Sequence, residues 1–110
     1  MARRGKYRHR VTLQNHEVIR QPLGGDTRVW RDWQKDLPAE VVPLSGREFT
    51  AASAEHGEVT ARMEIPYIPG VLSSMRVLFD GQAYAIRAVL PDPTARQWLT
   101  LMVDAGVADG

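Results

Sequence analysis

The residues that could do chemistry are three histidines, a scatter of carboxylates, one well-placed serine, a glycine pair and a basic start. His9, His16 and His56 show none of the spacings to another His, Asp or Glu that build a zinc site or a facial triad. Ser45 has no base beside it and no Gly-x-Ser-x-Gly frame, so helix capping explains it better than nucleophilic attack. Gly24-Gly25 lacks the Gly-Lys-Ser/Thr that completes a phosphate-binding loop. The acidic residues stand singly, without a pair that could divide acid and base roles. The expectation is therefore no enzyme, no cofactor and no metal. Trp30, Trp33, Tyr84 and Trp98 could stack bases. Their alternation with aliphatic residues favours core packing instead. Trp98 is the exception, because it lies on the face opposite Leu99, Leu101 and Val103, where an exposed tryptophan marks an interface.

Charge is the strongest remaining signal. The net charge is +1, yet nine Lys/Arg and three Asp/Glu precede Asp36, while five Lys/Arg and ten Asp/Glu follow from it. Arg3, Arg4, Lys6, Arg8 and Arg10 make a basic arm ahead of an acidic body. Such a polarity suits a nucleic-acid contact or the docking of one copy on the next. With 110 residues, 44% apolar and 25% charged positions, the chain reads as one domain, residues 1–110. Residues 1–7 read as the basic arm and 104–110 as a tail that frays. The absence of cysteine excludes a disulfide framework and a thiolate site. No apolar run approaches the ~20 residues of a membrane span, and the basic start lacks the apolar stretch of a signal peptide. No membrane partner is expected.

The elements that must position these groups are mostly strands. Val11 and Leu13 alternate with Arg10, Thr12 and Gln14, the period of a half-buried strand. The stretch from Arg20 to Thr27, with Pro22 and two glycines, reads as a flexible loop. Leu37 to Pro43 reads as a strand whose prolines call for an edge position or a bulge. Ser45 and Glu48 have capping-box spacing, so a short helix follows, anchored by Phe49 and ending near Gly57. Val59 to Tyr67 is the cleanest alternation in the chain. Asp80-Gly81 is the signature of a two-residue hairpin, returning with Tyr84, Ile86 and Ala88 on one face. Pro91 to Thr94 turns the chain into a last strand, Trp98 to Val103. Apolar residues on both faces of it imply a central strand or a subunit contact. The sum is a mainly β chain: a small antiparallel barrel or sandwich of five to seven strands with one short helix.

Four stretches, in order, carry a resemblance. They are Gly5-Lys6-Tyr7-Arg8-His9-Arg10-Val11-Thr12-Leu13-Gln14; the central Ala39-Glu40-Val41-Val42-Pro43-Leu44-Ser45-Gly46-Arg47-Glu48-Phe49; Tyr67-x-Pro69-Gly70-Val71 with Met75-Arg76-Val77; and Asp80-Gly81 with Tyr84-x-Ile86. Together they resemble the head-tail joining family of tailed bacteriophages, also called head-tail adaptor, head-closure or stopper proteins. Tyr7 stands where the family has an aliphatic residue, and Trp98 where many relatives are polar. The resemblance implies a small β-barrel that assembles as a ring at the head-tail junction of the virion, in the host bacterial cytoplasm. Its implied partners are other copies of itself, the portal or adaptor ring of the head, and tail terminator or tail proteins. Contact with packaged DNA in the channel is a further implied possibility. Candidate interface residues are Arg3, Arg4, Lys6, Arg8, Arg10, Arg47, Glu48, Phe49 and Trp98. The alternative is a small β-barrel that binds nucleic acid through the basic arm.

Overall fold

The computed structural model describes residues 7–95 and 97–105. Six strands and one helix follow in the order β1 (His9–Arg20), β2 (Asp26–Pro43), α1 (Gly46–His56), β3 (Ala61–Pro66), β4 (Arg76–Phe79), β5 (Gln82–Pro91) and β6 (Trp98–Asp104). All pairings are antiparallel, and the strands close in the order β1-β2-β3-β6-β5-β4. Of the two architectures expected, the barrel is the one formed. Closure leaves no free edge at the level where all six strands meet.

The two-residue period of the strands turns one face of each into the barrel. Val11 and Leu13, then Ala61, Met63 and Ile65, then Val77, Ile86, Leu99, Leu101 and Val103 are all buried there. The last strand lies between β3 and β5; Leu99, Leu101 and Val103 on its inner face are core, and Met102 on its outer face lines the groove beside α1. Asp80 and Gly81 take φ values of 56° and 79°, and Phe79 faces Gln82 across the turn. Both central residues thus have the positive φ that a tight right-twisted hairpin needs.

Several expectations change. The Arg20 to Thr27 stretch is not a loop. Its ends are strand, and only Gln21 to Gly25 turn, closed by the Gln21 N–H donating to the Gly25 carbonyl at 3.0 Å. Nor is Leu37 to Pro43 an edge strand: it belongs to an 18-residue β2 that pairs with β1 and then with β3. The bulge that proline calls for is present. Between Val11 and Leu13 of β1 the partner strand advances from Leu37 to Gln34, and Asp36 in that extra length has φ 61°. The register shifts again at the next step, from Leu13↔Gln34 to Gln14↔Asp32, and a further bulge falls between Ile86 and Ala88, so that past it Val89, not Ala88, packs against the core.

Ser45 is the N-cap residue, with extended backbone, but its side chain makes no capping hydrogen bond. The capping box is therefore not formed. Its backbone carbonyl accepts from the Phe49 N–H at 3.4 Å, and Gly57, φ 82°, ends the helix as expected. At the other end of the chain, Asp104 begins the stretch that the sequence expects to fray. It instead closes β6, buried, with its carboxylate 3.2 Å from Arg87 Nη2. Residues 1–6 of the basic arm and 106–110 of the tail lie outside the described residues. Tyr7 is anchored, its hydroxyl donating to the buried Glu64 carboxylate at 2.9 Å.

The turn before β6 is built on Asp92. One carboxylate oxygen accepts from the Thr94 N–H and hydroxyl, both at 3.1 Å, and the other from the Gln97 N–H at 3.3 Å. Burial pushes this carboxyl upward, but those donors and the Ala95 N–H outweigh it and hold its pKa below the ordinary 3.8.

Candidate assembly surface

The barrel ends before its two longest strands do. β1 faces β4 only from Thr12 to Gln14, and β2 faces β3 only from Glu40 to Pro43. Beyond Gln14 the two strands pair with each other alone, from Asn15↔Arg31 to Arg20↔Asp26. They form a two-stranded arm. Six residues per strand carry it about 20 Å from the barrel. In keeping with that reach, the molecule measures 53 × 29 × 26 Å.

A polar cluster fixes the root of the arm. Gln14, 8% exposed, donates from Nε2 to Asp32 Oδ1 at 2.7 Å and accepts at Oε1 from Arg76 Nε at 2.8 Å. The side-chain amide gives from its NH2 and takes at its oxygen, so one planar group bridges both partners. The Arg76 guanidinium lies 4.4 Å from the centre of the Trp30 ring, and Arg28 lies 5.9 Å from it. His16 packs on the same indole, ring centres 4.9 Å apart. Each cation–ring contact contributes about 0.5 to 2 kcal/mol, more where water is excluded. A pocket of about 170 Å³ opens here, lined in part by Arg28, Trp30, Ser74 and Arg76. Indole Nε1 of Trp30 and Nδ1 of His16 are buried without a hydrogen-bond partner.

The second outlying surface is α1, in which no residue is buried. A groove of about 310 Å³ separates it from the outer barrel wall, with Glu48, Ala52 and His56 on the helix and Arg62, Leu90 and Met102 on the strands.

The sequence candidates divide between these surfaces. Arg8 and Arg10 are exposed at the start of β1, where Arg10 Nη1 donates to the Asp36 carbonyl at 3.3 Å. Arg47 and Glu48 are exposed on the first turn of α1, and Phe49 beside them is half-buried. Trp98 is half-buried on β6, opposite Pro66, and β6 lies three strands round the barrel from β1. The structure therefore groups Arg47, Glu48 and Phe49 but does not bring Trp98 to the arm. Arg3, Arg4 and Lys6 are outside the described residues.

The motif residues serve the barrel. Val11 and Ile86 are core, His9 packs edge-on against Phe79 with ring centres 5.1 Å apart, and the Tyr84 ring lies tilted to Phe79 at 6.3 Å. Pro43 ends β2, and the Leu44 N–H donates to the Thr60 carbonyl at 3.0 Å, turning the chain into Ser45-Gly46 and α1. Half-buried Tyr67 donates its N–H to the Gln97 carbonyl at 3.1 Å. Gly70 has φ 93°, with the Trp33 ring 3.5 Å from where a Cβ would stand.

Sequence reasoning missed the Asp32–Gln14–Arg76–Trp30 cluster as a unit. Gln14 and Arg76 were both within the family-like stretches, and that was the available signal; their meeting required the β1–β4 pairing. Among the described residues no helix is long and apolar enough to cross a membrane.

The chain is similar to a protein of Shigella flexneri 2a, SF1141, whose solution structure superposes with a TM-score of 0.76 at 27% identity, covering 96% of this chain and 97% of that one. It shares its fold with a chain in the virion of a native gene transfer agent particle, TM-score 0.62, 20% identity, covering 91% of this chain and 96% of that one. No curated protein matches it. The sequence model of the phage head completion proteins matches residues 2–106, nearly the whole chain, and the chain belongs to that family of structural proteins of virion head assembly.

Proposed function

We propose that the protein closes the DNA-filled head as a ring at the head-tail junction, seated on the portal or its adaptor and offering the tail a docking surface. The observation that carries this reading is the division of the molecule into a closed barrel and two features the barrel does not use, the arm and α1. A ring needs a heterologous contact, one patch of a copy meeting a different patch of the next. The arm and the helix are the surfaces outside the barrel from which such patches can be drawn. Weak lateral contacts gain strength once neighbours are held on a template, so the free chain is expected to be monomeric and to assemble on heads. DNA passing through the channel meets the ring at many weak sites at once.

The test is light scattering of the purified chain, alone and with portal-bearing, DNA-filled, tailless heads, followed by pelleting. Co-sedimentation with retained DNA is the expected result. Salt-sensitive binding to free DNA, with no binding to the heads of its own phage, would replace this reading with the nucleic-acid module.

A further inference from the structure

We infer that in the assembled ring the arm of each copy pairs edge to edge with the arm of the next, β1 against β2, so that the arms close into a continuous antiparallel wall. This inference rests on the ring reading and supplies the contact that reading leaves unnamed.

Past Gln14 on β1 and before Glu40 on β2, no third strand lies beside the arm among the described residues. Its two edges are rows of backbone donors and acceptors, and a two-stranded ribbon on its own is marginal in water. The direction of these groups follows from the turn. The Gln21 N–H donates to the Gly25 carbonyl, so antiparallel alternation points the Ile19 and Glu17 amides inward and those of Arg20, Val18 and His16 outward. The His16 N–H agrees, for it is met by the Asn15 side-chain oxygen at 3.0 Å instead of a strand. Proline, a common guard of open edges, is absent from both strands of the arm and occurs only in the turn, at Pro22. Apolar side chains are exposed here too. Val18, Ile19 and Leu23, at 58%, 39% and 100%, are three of the five large exposed apolar residues among the described ones.

Symmetry and charge select a second copy as the occupant. With the arm running along the ring axis, copies related by rotation point their arms the same way, so β1, leaving the barrel, lies antiparallel to β2 of its neighbour, returning to it. A twofold contact would join like edges and stop at a dimer. Unlike edges also carry matching charge in order from tip to root: Arg20 then Glu17 on β1, against Asp26 then Arg28 and Arg31 on β2. Arg31 and Glu17 already form an ion pair within the arm, and the same pairing across copies extends the ladder.

A photocrosslinking benzophenone side chain in place of Val18 tests the occupant in assembled particles without assuming a register. Irradiation is expected to yield a ladder of multiples of the 12.3 kDa chain. Rings without crosslinks, or crosslinks only to a different virion protein, overturn the inference. Val18→Pro tests the backbone, since it removes an outward N–H and leaves the inward pairs. The free variant is expected to keep the wild-type urea midpoint and to lose ring assembly, whereas Val18→Thr, which keeps the donor, assembles like wild type. Wild-type ring yield in Val18→Pro overturns the inference. So does an unfolded variant, because that N–H would then be bonded within the fold. Wild-type particles that contain no ring of this chain overturn the ring reading itself.

Discussion

The barrel and the arm are made from the same two strands and obey opposite rules. In the barrel, β1 and β2 each have neighbours on both sides, and Val11, Leu13 and Ala39 are almost wholly removed from water. In the arm the same strands have only each other, and Val18, Ile19 and Leu23 face solvent. Stability therefore resides in one region and the unused bonding capacity in the other. The switch falls at Gln14, where one amide ties β2 through Asp32 to β4 through Arg76. The core thus holds the fold, and the arm carries the strand edges that the fold leaves open.

The comparison is most sharply tested by removing buried volume. Leu101→Ala empties a fully buried site beside Met63 and Val89 and is expected to cost about 3 kcal/mol in urea unfolding. Leu23→Ser at the arm tip should change the free chain by under about 0.5 kcal/mol. If both lost the same, the arm would be part of the cooperative core. Gly81→Val comes next, at about 2 kcal/mol, because φ 79° opposes a β-branched side chain. Gln14→Ala should cost about 1 kcal/mol globally. Its larger effect is local, as faster exchange of the inward-pointing Asn15, Glu17 and Ile19 amides with the barrel amides unchanged; uniform exchange would dissolve the boundary drawn at Gln14.

Acid should act on the turn before β6, through Asp92. The Asp92 carboxyl is depressed below 3.8 in the fold, so its stabilisation is present above that pH and is lost as pH falls below it through the folded pKa. Amide exchange of Thr94 and Gln97 is expected to rise in that window, and Asp92→Asn should abolish the dependence. The smallest effect is Ser45→Ala, under about 0.5 kcal/mol, since its hydroxyl makes no capping bond; a loss near 1 kcal/mol would mean that the capping box forms in solution.

Much of the barrel was legible because its strands report their own burial. Met63 and Ile65, and Leu99, Leu101 and Val103, alternate as a one-sided core demands, and Asp80-Gly81 states its own turn. The arm was misread for a related reason. Val18 and Ile19 are adjacent and have no buried face to alternate against, and Pro22 with two glycines resembles any loop. A β-ribbon exposed on both sides leaves no periodic trace, so Arg20 and Asp26 gave no sign of facing each other. Bulges hid in the same way: nothing local marks Arg87 as the extra residue that passes the core position from Ala88 to Val89. Ser45 was located correctly as a cap by residue type, yet type alone does not orient a hydroxyl.

The amino-acid sequence determined a mainly β chain, the places of its strands, its hairpin at Asp80-Gly81, its helix start and its family, because these depend on residue type and short spacing. Only the tertiary structure decided that six strands close into a barrel, that β1 and β2 outrun it as an arm, and that Gln14, Asp32, Trp30 and Arg76 meet at its root. Those features depend on which distant strands pair and in what register, and strand register is set by long-range burial and bulges that no short stretch of the chain contains.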